Sequence, residues 1–247
     1  MRRRIWIGPV GVLLVWLAVT RLGFIAPIFL PGPASVFRTL YSLFSTGSIL
    51  PDLGLTVARW IAGLTLGVSL GIPVGLLMGC SRRVYDSLEV VVDFFRSIPV
   101  MALFPLALVL FGIGDKSKVF LAAWAALLYV VINSMYGARH AKEPRIMAAR
   151  VFGATPWQVF AKVILPDALP NVFVGIRMSI SMSLVIVVAS EMVMGTEVGL
   201  GLRVFDAALV YRMSEMYAVV IVAGALGYLS NKLFMLAEAR VIHWAAK

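Results

Sequence analysis

Long apolar stretches alternate with short charged ones along the whole chain. Six mostly uncharged stretches are predicted as membrane-spanning helices, at residues 5–20, 53–80, 97–114, 119–138, 171–195 and 216–237. Several of them approach the roughly 20 residues that a helix needs to cross the hydrocarbon core of a bilayer. The pattern therefore predicts an all-α integral membrane protein with six transmembrane helices, forming a single domain over residues 1–247.

The segments between and within these stretches refine the prediction. Three arginines precede the first apolar stretch, as in a signal peptide, but no small-residue cleavage site follows, so we expect an uncleaved first span. A short helix is predicted at residues 34–44. Pro99 and Pro105 lie in the third stretch, which is therefore not expected to be a straight rod. The polar stretches 139–170 and 196–215 are predicted as loops outside the membrane.

The distribution of lysine and arginine predicts the topology. Six spans place both termini on the same side of the membrane, and that side carries most of these basic residues: Arg2, Arg3, Arg4, Arg82, Arg83, Arg139, Lys142, Arg145, Arg150, Lys162, Arg240 and Lys247. The other side carries fewer, and acids partly offset them: Arg38, Lys116, Lys118, Arg203 and Arg212, against Asp52, Asp115, Glu197 and Asp206. Because short loops rich in lysine and arginine stay in the cytoplasm, we expect cytoplasmic termini and a cytoplasmic 139–170 loop.

Composition agrees with a membrane protein and excludes several functions. Hydrophobic residues make up 61% and charged residues 14%, against about half and a quarter in soluble domains. In a chain embedded in membrane lipid, the net charge of +10 is attributed to residues that set topology rather than to binding of nucleic acid or anionic lipid. The single Cys80 excludes a disulfide or a cysteine metal site within one chain, and no metal site is expected. No zinc-protease, nucleophile-elbow or Walker A motif is present, so the chain is not expected to be an enzyme or to bind ATP.

One span carries a glycine at every fourth position: Gly63, Gly67, Gly71, Gly75 and Gly79. Glycines at this spacing form a continuous bare stripe on a helix, which lets another helix backbone approach closely in lipid. The stripe predicts tight helix packing, and the alternative is that this face lines a pathway.

Several polar residues in or beside the spans are candidates for a translocation path or gate: Arg96, Asn133, Ser179, Ser183, Ser190 and Glu191. Ionisable groups inside spans are functional candidates by default. Glu191 is expected near the outer end of its span, within reach of water, so structural hydrogen bonding is the alternative. Arg96 ends a face that begins at Asp86, and that face is either solvated at the cytoplasmic interface or directed into the bundle.

The segment "MAARVFGATPWQVFAKVILP" predicts two short helices within the cytoplasmic loop. Gly153 fits the left-handed stop after a first helix. Thr155 and Gln158 match a capping box, with Pro156 at the first helical position of a second helix. We expect Leu165-Pro166 to end that second helix. Two capped helices with an exposed tryptophan, Trp157, are typical of a docking surface.

This loop resembles the EAA motif of binding-protein-dependent ABC importer permeases, in which Glu-Ala-Ala is followed at fixed spacings by Gly, Ile and Leu-Pro. Ala148-Ala149, Gly153 and Leu165-Pro166 fall in register, Val163 replaces the isoleucine, and Met147 replaces the glutamate. The stretches "FRSIPVMALFPLALVLFGIGDKSKVFL" and "VVASEMVMGTEVGLGLRVFDA" are similar to those of the nitrate/sulfonate/taurine/bicarbonate subfamily. Met147 leaves open any polar contact normally made from that position.

The resemblance implies a type I ABC importer permease fold, MetI-like, in the bacterial cytoplasmic (inner) membrane. It implies two copies of this permease as a homodimer, two ABC ATPase subunits that bind ATP and Mg, and a solute-binding protein on the outer face. The ATPase-coupling residues would be Ala148, Ala149, Gly153, Ala154, Thr155, Pro156, Trp157, Gln158, Leu165 and Pro166. This chain would bind no cofactor itself.

The implied solute is small and anionic, like nitrate, a sulfonate, taurine or bicarbonate. A pyrimidine vitamin precursor or an aromatic acid is the alternative within the family. An ion-coupled secondary transporter is an alternative of another class, but it would favour midplane ionisable groups and internal repeats, which are not evident. A membrane enzyme would favour clustered catalytic or metal-binding residues, whereas the two histidines, His140 and His243, are far apart in sequence.

Overall fold

The protein is described here by a computed structural model covering residues 7–242, which are helical apart from their connecting loops. The helices are α1 (Ile7–Arg21), α2 (Pro33–Ser45), α3 (Leu50–Cys80), α4 (Arg82–Ser97), α5 (Phe104–Phe111), α6 (Asp115–Arg139), α7 (Glu143–Val151), α8 (Pro156–Val159), α9 (Leu165–Val193), α10 (Leu200–Leu209) and α11 (Met213–Val241). A 3₁₀ turn at Val100–Leu103 precedes α5, and a π-helical segment at Phe160–Ile164 joins α8 to α9. The all-α prediction is confirmed.

Four helical rods in the described part of the chain are long and apolar enough to cross a membrane: α3, α6, the rod Pro156–Val193 that runs from α8 through α9, and α11. A fifth candidate is a broken span, in which α4 and the segment Val100–Phe111 meet at 90°. The break follows Ile98–Pro99, where proline prevents helical continuation. With the shorter apolar helix α1, these elements are consistent with six spans.

Helices α3, α6 and α9 form the centre of the bundle, with α6 between the other two. All five glycines of the predicted stripe lie against α6. A Cβ added at Gly67 would lie 2.5 Å from the backbone oxygen of Ala123, closer than side-chain carbons ever come. The absence of side chains along this stripe is therefore what allows the two backbones to meet.

The segment predicted as a polar loop at residues 196–215 contains the short helix α10. Leu200 and Val204 of α10 are buried against Val36 of α2 and Val219 of α11. This apolar side explains why the segment folds back onto the bundle. The end of the bundle that carries α10 is called the α10 end below, and the opposite end, which carries α7, is called the loop end.

The prediction that Leu165-Pro166 ends a short helix is also wrong. The chain stays helical from Pro156 to Val193, so the predicted loop boundary at residue 170 and the predicted span start at residue 171 both lie inside one rod. Pro166 lacks the backbone N–H that an α-helix needs, and the wider π turns at Phe160–Ile164 end two positions before it. The helix therefore adjusts its backbone before the proline and does not stop.

Candidate functional site

The cytoplasmic-loop prediction centres on α7 and α8, which the structure shows as two helices with a sharp turn between them. Gly153 has a φ of 78°, in the left-handed region that suits glycine. The Thr155 hydroxyl accepts from the backbone N–H of Gln158, and the Gln158 side chain accepts from the backbone N–H of Thr155 at 2.8 Å. This capping box fixes where α8 begins and the direction in which it leaves the turn.

Large apolar side chains project from this turn. Phe152 is 89% exposed and Trp157 is 72% exposed, and Val151 beside them is also exposed. The rings of Trp157 and Phe160 lie 5.4 Å apart, and Phe160 packs into the bundle. We call Val151, Phe152 and Trp157 the apolar patch. Exposed apolar side chains on a helical loop that is packed against the bundle are typical of a protein interface.

Asp167 attaches α7 to the rod. Its carboxylate accepts from the guanidinium of Arg145 at 2.7 Å and from the backbone N–H of Lys142 at 3.1 Å. Met147, at the position of the expected glutamate, is instead exposed. Sequence reasoning missed Asp167, although an acid in the first turn after Leu-Pro was a signal that could have found it.

At the α10 end, Glu191 is fully buried, so the expectation that water reaches it is wrong. Its carboxylate accepts from the hydroxyl of Thr56 at 2.9 Å, from the guanidinium of Arg59 at 2.7 Å and from the backbone N–H of Gly201 at 3.0 Å. These partners come from α3 and α10 and meet an acid of α9. Every partner is structural, and this geometry favours the hydrogen-bonding alternative over a solute path.

Arg59, which the sequence analysis did not single out, extends this network. It also donates to the carboxylate of Asp115 at 2.7 Å and to the carbonyl of Val198 at 2.9 Å. Nearby, the buried ammonium of Lys118 donates to the carbonyls of Gly114 and Gly195. The sequence shows several charged residues near the ends of the apolar stretches. It does not show which of them pair, because the partners are far apart along the chain. We call Thr56, Arg59, Asp115, Lys118 and Glu191 the α10-end network.

The three candidate serines of α9 lie in helix contacts. Ser179 donates to the carbonyl of Ala126 on α6 at 3.0 Å, and Ser183 donates to the carbonyl of Ser179 and accepts from Trp60. Ser190 donates within its own helix, and all three residues are fully buried. Their hydroxyls are satisfied inside one chain, which favours a packing role.

Helix α4 runs beside the loop-end half of α6. At one end the guanidinium of Arg139 lies 4.0 Å from the ring centre of Tyr85, and at the other Phe95 packs edge-on against Trp124 at 5.0 Å. Trp124 lies about 14 Å along α6 from its start at Asp115, so α4 ends beside the middle part of α6, away from both ends of that helix. Asp86, Asp93 and Arg96 on the charged face of α4 are each more than half exposed, and Asp93 pairs with Arg96, as the solvated alternative for this face expects.

A partly polar cavity of about 360 Å³ lies at the end of α4. Arg96 and Ser97 line one side and Tyr129 of α6 lines the other. Asn133 follows one turn beyond Tyr129 and donates to the Tyr129 carbonyl at 2.8 Å, with the sulfur of Met178 3.9 Å away. Arg96 is thus the one path candidate that both lines a cavity and is more than half exposed.

Comparisons with known proteins agree with this architecture. The family model described as "Binding-protein-dependent transport system inner membrane component" matches residues 71–244. The taurine transport system permease protein of Escherichia coli is 35% identical, over 81% of this chain and 75% of its own length. The bicarbonate transport system permease protein of Synechococcus elongatus is 32% identical, over 91% and 84%. A probable ABC transporter permease of Brucella melitensis is 34% identical, over 93% and 92%.

Among solved structures, a chain of the methionine ABC transporter in an inward-facing conformation superposes with a TM-score of 0.66. It is 24% identical, and the match covers 80% of this chain and 96% of that chain. This likeness supports the fold, while the family model and the curated relatives support the function. The chain belongs to the family of inner-membrane components of binding-protein-dependent transport systems and is a transmembrane permease subunit of an ABC importer.

Proposed function

We propose that two copies of this chain form the solute pathway of an importer that two separate ATPase subunits drive. ATP and Mg bind to those subunits, and a solute-binding protein delivers solute on the side opposite the loop end. The family assignment supports the division of labour, since the chain carries no nucleotide-binding motif. The basic residues around the loop end support its placement in the cytoplasm, together with both termini.

The apolar patch is the proposed contact with the ATPase, and its exposure is the observation that carries this proposal. Ala148 and Ala149 present small side chains on α7, and Gly153, Ala154, Thr155, Pro156 and Gln158 set the turn before α8. Leu165 and Pro166 then continue the rod into the membrane. Movement of the ATPase would pass through α8 into α9 as a rigid body, since no flexible loop separates them.

We call the part of α4 that carries the exposed Asp93 and Arg96 the exposed edge of α4. The pathway is proposed to run along this edge and the adjoining face of α6. Because Phe95, between them on α4, packs against the middle part of α6, we place the exposed Asp93 and Arg96 close to mid-bilayer depth, where contact with lipid would cost at least about 2.5 kcal/mol per charge. Water between two permease copies removes that cost. Of the other path candidates, Asn133 lies beside this face, while Ser179, Ser183, Ser190 and Glu191 are proposed to hold the helices together.

The proposed solute is a small anion. The support is the names of the relatives, which transport taurine and bicarbonate or are described as aliphatic sulfonate permeases. Membership of the family alone would equally admit a neutral heterocycle. The charge of Arg96 beside the proposed path favours the anion.

The docking proposal is tested by Trp157→Asp, with Trp157→Phe as the matched control. An aspartate would place a charge in the apolar contact, and we expect loss of co-purifying ATPase and of ATP-driven uptake, whereas phenylalanine retains both. Trp157 is exposed, so the permease itself is expected to fold normally in both variants. Wild-type ATPase binding and wild-type uptake by Trp157→Asp would contradict the proposal.

A further inference from the structure

The guanidinium of Arg96 lies at the end of α4, where the chain bends toward the turn at Val100–Leu103, and it has few partners in the described chain. Arg96 contacts Asp93 through Nε at 3.2 Å. Within residues 7–242, its two terminal nitrogens make no hydrogen bond. A guanidinium presents its donors as a planar fork that matches two oxygens of a carboxylate, sulfonate or bicarbonate.

The cavity beside Arg96 has the dimensions of a small-ligand site. Its volume of about 360 Å³ lies near the lower end of the range for small-molecule pockets. Ala125, Leu128 and Ile132 of α6 form an apolar wall, and Tyr129 supplies a phenol on that wall. The Tyr129 hydroxyl makes no hydrogen bond within the described chain, so it remains available to a ligand.

Ser97, the third polar residue of the cavity, is already engaged. Its hydroxyl donates to the carbonyl of Asp93 at 2.8 Å, which leaves only its lone pairs toward the cavity. The available donors are therefore those of Arg96 and Tyr129. A site with free donors, a fixed positive charge and an apolar wall suits an anion with a short organic tail better than a cation.

We propose that Arg96 and Tyr129 form an oxyanion-binding site within the translocation path, which receives the charged head of the solute. This inference rests on the proposed function for the path. The site is reached from the loop-end side along the exposed edge of α4. Asp93 acts as the resident counter-ion, whose single weak contact an incoming anion can replace without leaving Arg96 unpaired.

The test measures charge selectivity at the site without requiring a known solute. Ser97→Cys is made in a Cys80→Ser background, because Cys80 is exposed and would react as well. The assembled importer in phosphatidylcholine vesicles is labelled with an anionic sulfonatoethyl or a cationic trimethylammonioethyl thiosulfonate reagent. The ratio of the two rates cancels any change in the reactivity of the thiol itself.

We expect labelling by both reagents, with an anion-to-cation rate ratio that falls about tenfold when Arg96→Gln is added. Asp93→Asn should raise the ratio, since it removes the opposing charge. An unchanged ratio in Arg96→Gln, or failure of both reagents to label the cysteine, would overturn the proposal. Tyr129→Phe should leave the ratio nearly unchanged but weaken protection by an added anion.

Ethanesulfonate serves as the probe anion and distinguishes a solute site from a lipid site. Slower labelling on adding ethanesulfonate in phosphatidylcholine vesicles supports the solute site. Slowing that occurs only when phosphatidylglycerol is included would show a lipid headgroup there and would overturn it. Labelling needs no ATP, so a failure of ATP-driven uptake or ATPase binding would count against the proposed function and leave this test intact.

Discussion

The α10-end network and the exposed edge of α4 place charged groups in the same bundle in opposite ways. Arg59, Lys118 and Glu191 are buried, and each is satisfied by partners from other segments. Asp93 and Arg96 are both 55% exposed and are paired only with each other, one turn apart on the same helix. The first arrangement ties α3, α6, α9 and α10 together, whereas the second ties nothing together.

The two regions therefore differ in how strongly their charged groups hold the helices together. A buried charge that loses its partner is costly, so the α10-end network resists any motion that would pull α3 from α9. An exposed pair at helical spacing contributes less than about 1 kcal/mol, so it can be rearranged easily. The charges at the α10 end therefore oppose separation of the helices, whereas the Asp93–Arg96 pair on α4 does not.

The largest effect is expected from Glu191→Ala. It would leave the guanidinium of Arg59 buried with Asp115 as its remaining acidic partner, and breaking such a pair costs about 3–5 kcal/mol. We expect a strong loss of folded, detergent-soluble permease and a lower melting temperature. Asp93→Asn is the matched control at the exposed edge and should melt like wild type. Equal stability of Glu191→Ala and wild type would abolish the contrast between the two regions.

A smaller effect is expected from Gly67→Ala on the glycine stripe. The added carbon would meet the Ala123 backbone oxygen at 2.5 Å, and overpacking of this kind costs about 1–3 kcal/mol. Gly54→Ala is the control, since an added carbon there has no atom within 4 Å. Thermal unfolding of the two purified variants measures the difference. If Gly67→Ala is as stable as Gly54→Ala, the α3–α6 seam is more adaptable than its backbone contact indicates.

The smallest effect on stability is expected from Gly153→Val at the turn between α7 and α8. The left-handed backbone at φ 78° costs a non-glycine residue roughly 1–2 kcal/mol, and valine tolerates it poorly. Gly153→Asn is the control, because asparagine adopts this region more readily. We expect valine to leave the bundle folded but to lower ATP hydrolysis coupled to transport. Full coupling in the valine variant would show that the turn geometry is not transmitted.

Elements that depend on neighbouring residues were predictable from sequence. The capping box at Thr155 and Gln158 and the left-handed Gly153 follow from local backbone chemistry, and the structure contains both. The glycine stripe was predictable for the same reason, since spacing within one helix defines it. Its partner was not, because nothing in the stripe distinguishes α6 from any other span.

Elements that depend on distant segments were mispredicted or missed. Leu165-Pro166 was predicted to end a helix from its local sequence, but the chain stays helical through the π segment at Phe160–Ile164 and beyond the proline. Asp167 and Arg59 were missed because their partners lie 22 or more positions away along the chain. Glu191 was placed near water from its position in a span, whereas α10 folds over it.

The sequence by itself determined that this protein is a helical membrane protein, roughly where most of its apolar helices lie, and where the capped turn between α7 and α8 falls. Those properties depend on hydrophobic run length, charge bias and capping, which are evident along the chain without knowledge of which helices pack together. Only the tertiary structure decided which charges are buried in ion pairs that link helices and which stay exposed beside a cavity. That distinction depends on which helices pack together in three dimensions, because this packing sets the partners of Glu191 and forms the cavity beside Arg96.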